Sequence, residues 1–220
     1  MKSILKNKVI KLREQGKSYS QIKDLLGVSK STLSSWISDM PLSKKQIDRL
    51  RGRNPIRIEK FRNTMRKKKD ARLSNVYEKV SLNIGNLSTR EKFIAGFFLY
   101  WAEGGKTMDA RSVFANTDPS MIVFFIKWLK QIKIDSNLIF IKLHLYSDMD
   151  INKEIKYCSS LTKIPINRFK NSYIKDSKLS ERTYKNGFNH GTCNIVVAEI
   201  DFNEYILMSV KYLRDMYIRL

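Results

Sequence analysis

The chain has 220 residues, 42% of them hydrophobic and 11% aromatic, enough for a medium domain and a small one with real cores, which excludes a disordered tail. Lys and Arg number 42 against 21 Asp and Glu, a net charge of +21. So large a surplus repels itself unless a polyanion neutralises it, and the expected partner is double-stranded DNA.

An anionic membrane is the rival partner, but that reading needs an exposed apolar helical face, and the sequence offers none. No apolar run approaches the ~20 residues of a membrane span, and charge breaks the first residues throughout, unlike a signal peptide. Cys158 and Cys193 have neither a CxxC partner nor a histidine at ligand spacing, so no zinc site is expected. The two pair only if the fold brings them together; a reducing cytoplasm, or the nucleoid, is the simpler expectation.

Residues 1–42 carry dense helix and turn signals. Val9, Ile10 and Leu12 lie on a first helix ending at Gly16. Ser20 is positioned to cap a second, on which Ile22, Leu25 and Leu26 form an apolar face. Gly27 supplies the left-handed residue that ends it. Ser29 caps a third helix, expected to bury Leu33, Trp36 and Ile37, and Pro41 stops the chain from continuing as helix. The stretch Gly16–Ile37, GKSYSQIKDLLGVSKSTLSSWI, resembles a helix-turn-helix of the recombinase and regulator type. That resemblance implies that the N-terminal end of the third helix reads DNA, through Ser29, Lys30, Ser31, Ser34 and Ser35.

Residues 43–88 form a basic connector. Between Lys44 and Arg72 thirteen basic residues face three acidic ones, a local charge of +10. Asn54-Pro55 is expected to divide it, because a residue before proline avoids the helical region. A helix is then expected from about Ile56, with Ile58, Phe61, Met65 and Leu73 as a sparse apolar side. Like charges this dense call for phosphate contacts, which position a protein without reading sequence. The residues assigned to them are Arg51, Arg53, Arg57, Arg62, Arg66, Lys67, Lys68 and Lys69.

Residues 89–220 hold two of the three tryptophans and both histidines. Thr89 or Ser88 caps an apolar helix, REKFIAGFFLYWAEGG. SVFAN reads as a strand, and Asp118-Pro119 opens a helix. NLIFIKLHLYS alternates as a strand, INKEIKYCSSLTKI is a helix ended by Pro165, and RFKNSYIKD and TCNIVVAEI are strands. NEYILMSVKYLRDMYI closes the chain as an amphipathic helix. The fold class is α+β, with a mixed or antiparallel sheet and helices on one face.

Within this segment GFFLYWAEGGK, followed by VFANTDPSMIVFFIKWL, resembles a LAGLIDADG domain, the homing-endonuclease fold, over residues 90–217, with the specific part in the first forty. The resemblance implies two such helices packed through small residues, each ending in a carboxylate, the two acids holding Mg²⁺ beside the scissile phosphates. Glu103 takes the acid position as metal ligand, flanked by Ala102 and Gly104. Phe98 stands where a small residue is expected one turn earlier, with Gly96 and Ala95 before it. Glu103 has a second reading, a carboxylate that only bonds a neighbouring turn.

A single motif implies a homodimer on a near-palindromic target. Lys106, Lys142, His144 and His190 are the candidate catalytic groups that polarise a phosphate or activate water, although a lone strand histidine is more often structural. Asn116, Thr117 and Asp118 read as turn and cap residues. The leading expectation is a Mg²⁺-dependent site-specific DNA endonuclease. The alternative is a non-catalytic transcription regulator, as in helix-turn-helix proteins carrying a degenerate LAGLIDADG domain.

Overall fold

In a computed structural model the described residues are 2–50, 52–107, 110–179 and 190–218. The chain divides into two units, Met1–Gly85 and Asn86–Leu220. The basic segment belongs to the first of them.

The first unit holds α1 (Lys2–Glu14), α2 (Tyr19–Leu26), α3 (Lys30–Ile37), α4 (Lys44–Asp48) and α5 (Arg53–Ile84). Ser18, not Ser20, caps α2: its hydroxyl accepts from the Gln21 N–H, and its own N–H donates to the Gln21 side chain at 2.9 Å. The reciprocal box needs a glutamine three residues on, and only Ser18 has one. Gly27, at φ +66°, ends α2 with its N–H on the Lys23 carbonyl at 2.8 Å, and Ser29 caps α3 through the Thr32 N–H. Val9, Tyr19, Ile22, Val28, Leu33 and Ile37 form the core of these helices. Trp36 is only half-buried and lies at its edge.

Asn54-Pro55 does not divide the connector. Helix α5 starts at Arg53, so Pro55 lies in its first turn, where a missing N–H costs no intrahelical bond. Its 32 residues extend about 48 Å at ~1.5 Å per residue. The expected apolar side is not a buried one: Phe61, Met65 and Leu73 are exposed. The anchor of α5 is instead the buried Glu59.

The second unit holds α6 (Thr89–Glu103), β1 (Ser112–Asn116), α7 (Pro119–Gln131), β2 (Ile139–Tyr146), α8 (Ile151–Thr162), β3 (Phe169–Lys175), β4 (Thr192–Val197) and α9 (Ile200–Ile218). Ser88 caps α6 in a reciprocal box with Glu91, and Asp118 caps α7 with Pro119 behind it. The sheet among the described residues runs β1-β4-β2-β3. The β1–β4 and β4–β2 pairs are antiparallel and β2–β3 is parallel, so the sheet is mixed and the class is α+β.

Strand alternation divides the sheet residues. Phe114, Ile139, Ile141, Leu143, Leu145, Ile195 and Val197 are buried with Tyr100, Phe125, Trp128, Cys158 and Phe202 of the helices. The intervening Phe140, Lys142 and His144 stay outside that core and leave an open face. No described helix is long and apolar enough to cross a membrane.

Candidate nucleic-acid interface

In the first unit Leu33 and Ile37 point α3 into the core, so its other side faces solvent. Ser29, Lys30, Ser31, Ser34 and Ser35 are all exposed there. The Ser29 hydroxyl caps the helix and lies 2.8 Å from that of Ser31. The other three side chains are short or basic and stand on the outer surface of the helix.

From the C-terminal end of α3 onward, Ser38, Asp39, Met65, Arg66, Lys68, Lys69, Asp70 and Arg72 line a groove of about 790 Å³. Four cations against two acids make it an electropositive channel. Arg66 reaches across it toward the Asp39 carbonyl at 3.4 Å. Arg53, Arg57, Lys67, Lys68 and Lys69 are exposed. Arg62 differs from the rest: it bonds Glu59 at 2.8 Å and stacks 3.7 Å above the Tyr19 ring, so its guanidinium is held within the unit. Arg51 lies outside the described residues.

In the second unit Glu103 is exposed at the last residue of α6. Lys106 folds back on that helix end and donates to the carbonyls of Tyr100 at 3.1 Å and Gly104 at 2.7 Å. The Tyr100 carbonyl also accepts from the Gly104 N–H at 2.7 Å, so Lys106 adds a second bond there and one to the residue that follows α6. Burial lowers the Lys106 pKa against the opposing pull of Glu103. Lys106 is therefore engaged at the end of the helix, with its ammonium on two carbonyls.

Gly96 packs inward. A methyl there would fall 2.0 Å from the Trp128 indole nitrogen, so the small residue of α6 makes room for a tryptophan of the same unit. That indole donates to the Phe93 carbonyl at 2.9 Å. The exposed side of α6 carries Phe98, stacked near Trp101 with ring centroids 5.9 Å apart.

Lys142 and His144 share the open face of β2. Register places Lys170 beside Lys142 and Tyr173 beside His144. The His144 and Tyr173 rings meet edge to face at 5.2 Å, and the Lys170 ammonium lies 4.3 Å from the centre of the Phe140 ring. Burial lowers the His144 pKa, and the charges of Lys142 and Lys175 lower it further. This face alternates cations with aromatics. Lys170, Tyr173 and Lys175 escaped the sequence reading, although the strand pattern RFKNSYIKD carried their signal.

The two histidines are not brought together as one polarising pair. His190 packs on α8, with Nδ1 2.7 Å from the Glu154 carboxylate and its ring stacked 3.6 Å from Tyr157. Glu154 is buried, and the His190 ring is its hydrogen-bond partner. The Asn116 side chain accepts from the Asp118 N–H at 2.8 Å, and Asp118 caps Ser120 at 2.7 Å.

Mg²⁺ takes about six oxygens and is held by one or two carboxylates together with water and substrate phosphate. Among the described residues no group of three or more His, Cys, Asp or Glu side chains could hold a metal ion. Glu103 offers one exposed carboxylate, so a Mg²⁺ ion held there would take its other oxygens from water, substrate phosphate or a second copy of the chain. In comparisons with known proteins, no family model, no curated protein and no solved structure matches this chain.

Proposed function

We propose that the chain is a sequence-specific double-stranded-DNA-binding protein in which α2, its turn and α3 act as a helix-turn-helix. One observation carries the reading: the exposed serine and lysine end of α3 and a groove rich in Arg and Lys lie on the same unit. Short hydroxyl side chains suit base edges, and the cations suit phosphates. The open face of β2 and β3, with Lys142, Lys170 and Tyr173, adds a second basic and aromatic surface. In this reading a homodimer binds a near-palindromic site.

Three specific observations divide the regulator from the endonuclease. Gly96 is filled by Trp128 and Lys106 is tied to the end of α6, which favours a LAGLIDADG-like unit that binds DNA without cutting it. Glu103, exposed at the acid position, favours the endonuclease, whose Mg²⁺ would need the carboxylate of a second copy and the target phosphates.

The test begins with selection of bound duplexes from a random pool. The selected site is then incubated with the protein and Mg²⁺ or Mn²⁺. Enrichment of one sequence is expected; a pool that stays random overturns specific binding. Cleavage abolished by Glu103→Gln with binding kept would establish the nuclease, and intact DNA at saturating protein establishes the regulator.

A further inference from the structure

We propose that Cys158 and Cys193 are a disulfide-forming pair, a reversible modification site that staples α8 to β4 when the disulfide form of a small thiol reaches it. The two residues stand 35 positions apart, yet their sulfurs lie 3.2 Å from each other. Both are free thiols, Cys158 buried and Cys193 half-buried. A bond asks for only about 1 Å of further approach.

The fold holds the pair in place from both sides. Cys193 lies on β4, which hydrogen-bonds to β1 on one side and β2 on the other, and pairs with Asn116 and Leu143. Cys158 lies within α8, where its carbonyl accepts from the Thr162 hydroxyl at 2.8 Å. Ile195 and Val197, which share Cys193's side of the strand, are core residues together with Cys158. Neither sulfur has to cross the sheet.

Cys193 is the less buried of the two and meets the oxidant first. Its thiolate attacks one sulfur of the small disulfide and expels a thiolate, which takes up a proton. Cys158 then loses its proton and attacks the Cys193 sulfur, expelling the second small thiol. The protein loses two protons and two electrons, and one small disulfide becomes two thiols. The hydrogen bond with Cys158 and burial push the Cys193 thiol well above its ordinary range, so the reaction is slow at neutral pH and quickens as pH rises.

The consequence is mechanical. The bond closes a 35-residue separation and restricts the unfolded chain, so the oxidised unit resists unfolding better than the reduced one. Reduction returns it to the weaker state.

The full chain, incubated with oxidised glutathione at mildly alkaline pH, tests this. The titratable thiols should fall from two to none, non-reducing peptide maps should show Cys158 joined to Cys193, and the unfolding temperature should rise by on the order of 10 °C. Dithiothreitol should reverse all three. Cys158→Ala should instead stop at a glutathione adduct on Cys193 with no gain in unfolding temperature. If that variant does not fold, the map of the unaltered chain decides. Two persistent thiols, glutathione adducts without the internal link, or a link that leaves the unfolding temperature unchanged would each overturn the proposal.

Discussion

The Arg13 guanidinium grips the Glu59 carboxylate with two hydrogen bonds, at 2.9 and 3.3 Å, and both side chains are almost wholly buried. Arg62 adds a third bond to the same carboxylate. Arg13 also donates to the carbonyls of Met40 and Lys17. One acid thus ties α5 to α1, and the same arginine ties in the segment after α3. Geometry this complete compensates for burying two charges.

Glu59→Gln should therefore destabilise the first unit by about 3–5 kcal/mol, the cost of leaving a buried arginine without its counter-charge. Urea unfolding followed by circular dichroism measures it. An unchanged midpoint would show that α5 is held by other contacts.

Gly96→Ala should run against helix propensity. Alanine in a helix interior normally stabilises by roughly 0.5–1 kcal/mol over glycine. Here the added methyl meets the Trp128 indole at 2.0–2.2 Å, an overpacking that costs about 1–3 kcal/mol or more. Gly27→Ala should be destabilising for a different reason. Nothing lies within 4 Å of its position, but φ is +66°. Melting temperatures of the two variants test both signs.

Replacing Lys67, Lys68 and Lys69 by alanine should weaken binding to every duplex and flatten its salt dependence. Each lost phosphate contact lowers the slope of log affinity against log salt by about 0.9. Ser34→Ala and Ser35→Ala should alter the preferred sequence instead, by about 1–3 kcal/mol at one base pair, and leave the slope unchanged. Anisotropy titrations over a salt series separate the two effects. A triple variant with the original slope would mean that the run faces solvent.

His144 makes the second unit less stable as pH falls. Its folded pKa is lowered from 6.5 by burial and by Lys142 and Lys175. Below 6.5 the unfolded chain takes up a proton that the folded one refuses, so stability is lost from there down to the folded pKa. His144→Asn should flatten that loss. Phosphates on the open face would favour the protonated ring, so DNA affinity should rise with acidity in the unaltered chain and less in the variant. Equal pH profiles for the two proteins would remove His144 from both roles.

Local punctuation was legible before the fold was. Gly27, Ser29 and Asp118 end or start elements where the structure has them, because caps act over three or four residues, whereas the helix expected to run to Pro165 already ends at Thr162 with Lys163 left-handed behind it. Ser20 misled for the same local reason: Ser18 and Ser20 flank Tyr19, and only the position of Gln21, three residues after Ser18, decides. Pro55 misled because proline both breaks a helix and opens one, and its first-turn position depends on where the helix begins.

Net charge, the α+β order of elements and the two-residue alternation of the strands belong to the sequence alone, because each follows from composition or near neighbours. That Gly96 is a socket for Trp128, that His190 belongs to Glu154, that Lys106 is engaged at the end of α6 and that two distant cysteines touch was decided only by tertiary structure. A periodic pattern says which side of an element is apolar. Packing and register, acting across dozens of residues, decide which side chain it meets there.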